Sequence, residues 1–196
     1  MVELHHRSGG VTILQAFLAN HPRAQISDWD SQTFQPVKRQ VKQALHEDQQ
    51  GLCIYCERKI DATDGQIDHI KPKSGPHADP YLCFIYTNHA HSCINNKTCG
   101  QKKKHGLLPI EPGPGCNRQW TLSTDGAVEP VAGLTRHQKH GVTQTRGMLG
   151  LNADARLVDE RQKWLTSSIE VLKASPEDIT AFLQDSPFRH ILATVL

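Results

Sequence analysis

The sequence predicts an α+β fold in which a small cysteine-framed core of strands and a helix is embedded in flanking α-helices. Three observations predict it. Four cysteines arrive as two close pairs, Cys53 with Cys56 and Cys93 with Cys99. Between the pairs, residues 57–60 and 66–70 flank Asp61-Ala62-Thr63-Asp64-Gly65, whose Asp-Gly supplies the positive φ angles of a hairpin turn. On either side of this stretch, apolar residues recur at helical spacing.

In chain order, Val11, Leu14, Phe17 and Leu18 predict a short amphipathic helix that stops before Asn20-His21-Pro22. A second helix starts at Pro36, a residue suited to a first helical position, and carries Val37, Val41 and Leu45 toward Gly51. Its polar face holds Lys38, Arg39 and Lys42, which read either as a solvated face or as contacts to a phosphate backbone. The β-hairpin then ends at His69. Lys71-Pro72-Lys73-Ser74-Gly75-Pro76 must be loop, and a short helix or strand runs through Tyr81 to Tyr86. A helix beside the second cysteine pair is expected between Asn88 and Lys104, with a loop at 93–99. Three prolines and two glycines in 109–115 lead into a strand at 119–123 and a turn at Thr124-Asp125-Gly126. Leu157, Trp164, Leu165, Ile169 and Leu172 mark a helix over 154–173, and Ser175-Pro176-Glu177-Asp178 opens another. From Ser186 onward, Phe188, Ile191, Leu192 and Val195 share one face, which either packs in the core or docks a partner. The expected division is a helical segment over 1–50, the core over 51–110, and a hairpin with helices over 111–196, forming one compact unit at 196 residues.

Charge is nearly balanced, 22 Lys plus Arg against 20 Asp plus Glu, so no global basic field points to nucleic acid and any such binding rests on local clusters. The first ten residues lack the apolar run of a secretory signal, and no window approaches the ~18 apolar residues of a membrane span. The expectation is a cytoplasmic protein without a membrane partner. In a reducing compartment its six cysteines read as metal ligands plus spares rather than as disulfides. The quartet Cys53, Cys56, Cys93 and Cys99 is expected to hold a structural Zn²⁺. Cys83, in an apolar run, and Cys116, after a turn, are the spares, with Cys116 an alternative ligand.

Inside the cysteine frame sit Asp68, His69 and Asn88. Phosphodiester hydrolysis needs a nucleophile at neutral pH and a cation on the scissile phosphate. An imidazole can take the proton from water, and a carboxylate can hold Mg²⁺ or Mn²⁺ while leaving positions open for phosphate and water. His69 reads as the base and Asp68 as the metal ligand. Lys102, Lys103 and Lys104 read as phosphate contacts, with a solvated charge run as the alternative.

Cys53-Ile54-Tyr55-Cys56, then Asp68-His69-Ile70-Lys71-Pro72, then Asn88 before a second cysteine pair, resembles the HNH endonucleases with their ββα-metal core. Within that family the chain resembles the PtuB branch, found in Septu and retron antiphage systems beside an ATPase, PtuA. The similar stretches are Gly51 to Glu57, Ile67 to Pro72, Tyr86 to Asn88, Cys99-Gly100 with the following lysines, Asp125 to Pro130 and Leu149 to Asn152. The resemblance implies that Asn88 orients the base by a hydrogen bond, and that a third metal ligand follows the second cysteine pair. Here Gly100 stands where the family often has Asn. His105 is the preferred substitute, ahead of Asn95, Asn96, His89 and His91. The expected function is a metal-dependent endonuclease acting on nucleic acid, phage DNA by default with RNA or tRNA as alternatives, in a complex with a PtuA-like ATPase. The competing reading is a noncatalytic zinc-knuckle module that binds nucleic acid or protein.

Overall fold

Helix α1 (Thr12–Asn20) and helix α2 (Gln35–Asp48) pack through Leu14, Phe17, Val37, Val41 and Leu45, the apolar positions of the sequence pattern. The computed structural model describes residues Met1–Leu196. Trp29, Phe34, Phe84 and Tyr86 complete this small aromatic-rich core. Pro36 lies in the first turn of α2, where its missing N–H costs no hydrogen bond.

Strand β1 (Gln66–His69) pairs antiparallel with β2 (His89–Ser92), in the register Gln66↔Ser92, Ile67↔His91, Asp68↔Ala90 and His69↔His89. This corrects the expected hairpin. Residues 57–60 are not the partner of β1, because their backbone groups are already engaged in closing the first cysteine knuckle. The Cys53 N–H donates to Arg58 O at 2.8 Å and the Ile60 N–H to Gly51 O at 2.9 Å. It also corrects the helix expected from Asn88: all four residues of β2 are buried, so they show no alternation that would have marked a strand. Helix α3 (Cys99–Lys103) follows β2 after the second knuckle.

The second hairpin falls where expected, β3 (Trp120–Leu122) against β4 (Val128–Pro130). Gly126 turns it at φ 83°, and a Cβ there would collide with the Val158 carbonyl. Helix α4 (Arg136–Leu149), absent from the sequence reading, begins with a capping box in which the Thr135 hydroxyl accepts from the Gln138 N–H. Helix α5 (Ala155–Ala174) is capped by Asp154, and α6 (Ile179–Gln184) and α7 (Arg189–Leu192) close the chain. Buried Arg161 joins these parts, donating to Gly126 O at 2.7 Å, Leu151 O at 2.8 Å and Asn152 Oδ1 at 3.1 Å.

The main core runs from Met1, Val2 and Leu4 through Leu52, Ile54 and Tyr55 to Leu157, Leu165 and Leu192. Phe188, Ile191 and Leu192 are buried in it, so the terminal apolar face packs on this chain and is not a free docking surface. Buried Glu57 holds both ends of the chain against the first knuckle. Its Oε1 lies 2.8 Å from the Met1 ammonium, its Oε2 accepts from the His190 N–H at 2.9 Å, and its carbonyl accepts from the Phe188 N–H at 3.1 Å. Glu57 reaches these partners from a left-handed backbone at φ 61°, a conformation costing an L-residue roughly 1 to 3 kcal/mol.

Candidate active site

The quartet predicted from cysteine spacing is assembled. The four Sγ atoms of Cys53, Cys56, Cys93 and Cys99 lie within 4.8 Å of one another. Cys53 Sγ is 3.8 Å from Cys99 Sγ, and Cys56 Sγ is 3.9 Å from Cys93 Sγ. A tetrahedral Zn²⁺ with Zn–S bonds of about 2.3 Å requires sulfurs about 3.8 Å apart, so the donor set fits that ion. Burial opposes the charged form of each thiol, yet hydrogen bonds from neighbouring sulfurs push the Cys53 pKa down, while the same contacts push those of Cys56 and Cys99 up. Three of the four side chains are buried in the main core. The two spare cysteines stand apart: Cys83 joins the aromatic core, and Cys116 Sγ faces the Met1 and Val2 carbonyls.

Strand β1 ends at the site, placing Asp68 and His69 in a cleft of about 290 Å³. His105, Lys104, Gln101 and Gly100 from α3 and its C-terminal end line the opposite wall, and Lys73 and Ser74 from the β1–β2 connection form a rim. The structure therefore gathers Asp68, His69 and His105 in one cavity.

His69 Nε2 lies 2.9 Å from the Cys83 carbonyl. A carbonyl only accepts, so Nε2 carries the hydrogen and Nδ1 keeps its lone pair. The ring packs on Trp29 at 4.5 Å and His89 at 4.9 Å between centroids. Burial in this cage lowers its pKa to about 4, keeping the imidazole neutral at physiological pH. Asp68 is held at one oxygen: Oδ2 accepts from the Tyr55 hydroxyl at 2.5 Å and faces Lys103 Nζ at 3.0 Å, while Oδ1 has no protein partner. Burial raises the Asp68 pKa despite the opposing Lys103 charge. Asp68 and His105, whose Nδ1 pairs with Ser74 Oγ at 3.1 Å, line this cleft together.

Asn88 makes no hydrogen bond to the His69 imidazole, which corrects the expected contact. Its Oδ1 accepts from the Lys71 N–H at 2.8 Å, and its Nδ2 donates to the Lys71 and Leu82 carbonyls at 3.0 and 3.2 Å. It thus fixes the backbone just after His69 rather than touching the imidazole.

The three lysines separate. Lys104 lines the cleft, and Lys102 is exposed beside Gly150. Lys103 departs from the reading as a phosphate contact: its side chain is fully buried, donating to the His69 carbonyl at 2.7 Å and pairing with Asp68. The remaining ligand alternatives point elsewhere. Asn95 Nδ2 donates to Asp154, His91 Nε2 pairs with the Asp64 carbonyl, and His89 is enclosed with Nε2 on the Cys83 carbonyl. Asn96 is not among the residues lining the cleft. Sequence reasoning missed Tyr55, Lys103 as the Asp68 partner, and Trp29. Only Tyr55 had a local signal, its place inside the Cys-x-x-Cys motif.

Gly100 also finds a physical reason. A Cβ there would lie 2.8 Å from Gln66 Nε2, 3.1 Å from Ser92 Oγ and 3.2 Å from the Asp68 carboxyl carbon. A larger residue at this position would press directly on Asp68.

No family model matches the chain. It is 43% identical over 176 residues, 85% of either chain, to a protein of Vibrio cholerae serotype O1 biovar El Tor named "Retron Vc95 putative HNH endonuclease". With that identity over most of both chains, beside a clustered cysteine quartet and an Asp-His pair at the end of a strand, the chain belongs to the HNH endonuclease family.

Proposed function

We propose that this chain is a metal-dependent endonuclease that hydrolyses nucleic-acid phosphodiesters, with β1, β2 and α3 serving as a ββα-metal core and the cysteine quartet as its zinc staple. The convergence of Asp68, His69 and His105 on one cleft is the observation that carries this reading. A divalent ion bound there would polarise the scissile phosphate and offset charge on the leaving oxygen. His69 Nδ1, neutral and bearing its lone pair, accepts a proton from the attacking water. Asn88 keeps the backbone after His69 from shifting, and Tyr55 and Lys103 fix the orientation of Asp68. Lys73 and Lys104 at the rim supply positive charge to phosphate oxygens.

The test is cleavage of plasmid DNA and of tRNA with Mg²⁺ or Mn²⁺. His69→Ala removes the base and lowers the rate by roughly 10² to 10⁴, and added metal does not restore it. Asp68→Ala shifts the metal requirement to higher concentration. Normal cleavage by both variants with zinc retained would move the active site elsewhere and favour the noncatalytic zinc-knuckle reading.

The biological setting is proposed as antiphage defence with a PtuA-like ATPase. The PtuB resemblance supports it, as does the relative's name, which assigns that protein to a retron. Co-expression with an ATPase encoded beside it tests this: the ATPase should co-purify and switch or restrain cleavage. A nuclease fully active alone and unchanged by the ATPase would refute the partnership.

A further inference from the structure

The active-site cleft does not end at β1. A second cleft of about 410 Å³ lies between β1 and α2, and the two share Trp29, Gln66 and Ile67 as a common wall. Strand β1 orders the passage: Asp68 and His69 open on the first cleft, Gln66 and Ile67 on both, and Gly65 on the second. At about 3.3 Å per residue, His69 and Gly65 are roughly 13 Å apart, a span that chain atoms next to a scissile phosphate can cover.

The second cleft is cationic in a protein whose overall charge is nearly balanced. It is lined by Lys38, Arg39 and Lys42 from α2, with Asp30 its one acid. Asp30 is already held by Lys38 at 2.8 Å and Lys73 at 3.6 Å, and Lys73 itself stands on the rim of the catalytic cleft. Lys42 is seated on backbone, its Nζ 2.6 Å from Thr63 O and 3.1 Å from Asp64 O, so no carboxylate cancels its charge by contact. Arg39 is exposed and forms neither an ion pair nor a side-chain hydrogen bond, leaving its full donor set toward the cleft. A planar guanidinium with free donors beside two further cations suits a phosphodiester backbone, whereas the apolar anchor of a peptide-binding groove is absent: Trp29 and Ile67 are the only apolar lining residues, and Trp29 is buried.

We propose that the nucleic-acid strand flanking the scissile phosphate runs along β1 into this second cleft, with Arg39 as its principal free phosphate contact and Lys38 and Lys42 supporting the charge. This rests on the endonuclease reading of the first cleft and adds the path of the substrate.

The experiment uses the full chain carrying His69→Ala, so that binding is measured without cleavage, and 20-nucleotide single strands of DNA and of RNA in parallel. Arg39→Gln is compared with Lys173→Gln, which removes the same charge from exposed α5. One lost phosphate contact on a single strand flattens the slope of log K against log salt by about 0.7, which raises Kd about eightfold at about 50 mM salt. That loss is expected for Arg39→Gln and not for Lys173→Gln. Equal Kd and slope for the two variants overturn the proposed path. Hydrolysis of bis(p-nitrophenyl) phosphate by the parent protein separates the layers: activity there with indifferent Arg39 leaves the endonuclease reading standing and refutes only the path. No hydrolysis and no strand binding refute both. Stronger loss with one polymer than with the other assigns the sugar.

Discussion

Replacing Lys103 with Met tests the least expected contact of the site. Its ammonium is fully buried, 3.0 Å from Asp68 Oδ2 and 2.7 Å from the His69 carbonyl. Met fills a similar volume but carries no charge, so the variant leaves the Asp68 carboxylate in a low-dielectric pocket with only the Tyr55 hydroxyl as partner. Breaking one side of a buried ion pair costs about 3 to 5 kcal/mol. For a chain of this size, 1 kcal/mol moves Tm by about 2 to 4 °C, so the melting temperature should fall by roughly 6 to 20 °C. The assay is thermal unfolding followed by circular dichroism in buffer free of added divalent ions, with Asp68→Asn and the double variant completing a cycle. Asp68→Asn removes the charge that Lys103 neutralises, so the double variant should be more stable than the sum of the two single losses predicts, by about 1 to 3 kcal/mol. Millimolar Mg²⁺ should raise the Tm of Lys103→Met more than that of the parent, because Asp68 then gains a cation. A Tm within about 2 °C of the parent, or strictly additive losses, would show that the Lys103 ammonium does not compensate Asp68.

Cys56→Ala should lose bound zinc and melt at least 6 °C lower, since even a third of the roughly 10 kcal/mol supplied by a structural zinc exceeds 3 kcal/mol; full zinc by elemental analysis with an unchanged Tm would refute the quartet. Deleting residues 187–196 should abolish folding before any partner is involved, because Phe188, Ile191 and Leu192 each contribute about 1.5 to 3 kcal/mol of burial; a soluble, cooperatively melting truncation would refute this. Acid should weaken the fold through His89, whose pKa burial lowers to about 3. The unfolded chain binds the proton near pH 6.5 and the folded one does not, so this contribution is intact above pH 6.5 and declines as pH falls toward 3. Between pH 7.5 and 5.5 it amounts to about 1.4 kcal/mol, and His89→Phe should lose correspondingly less stability over that interval. Identical pH profiles in urea titrations would count against it.

The helices were legible where an apolar stripe met a terminator. Val37, Val41 and Leu45 after Pro36 placed α2, and Asp154 followed by Leu157 and Leu165 placed α5. Helix α4 was not legible, because few of its residues are apolar and its boundaries rest on Thr135, Gln138 and Gly150, signals too local to stand without a stripe. The hairpin turn misled for a related reason. Asp64-Gly65 looked like a two-strand connector, yet β1 pairs with a strand 20 residues further on, a choice set by burial of His89 to Ser92 rather than by turn chemistry. At the site, the cysteine spacing and the Asp-His dipeptide named segments that the structure brings into a sulfur cluster and a cleft, because those signals are contiguous. The roles of Lys103 and Trp29 depend on which residues meet across the cleft, and no periodicity encodes that.

The Glu57 junction has a consequence for the order in which the molecule is made. Its carboxylate sits one residue after Cys56, but its partner His190 lies 133 residues later in the chain. While the chain emerges from a ribosome, the first knuckle is exposed long before the backbone N–H groups of Phe188, His190 and Ile191 exist to receive Glu57. Until then its negative charge faces only the Met1 ammonium, and the apolar seat that covers the knuckle is empty of Phe188 and Leu192. A nascent chain therefore carries Asp68 and His69 without the finished frame around them. The frame around Asp68 and His69 is therefore closed only once residues 188–192 exist, more than 130 residues after Glu57 has been made.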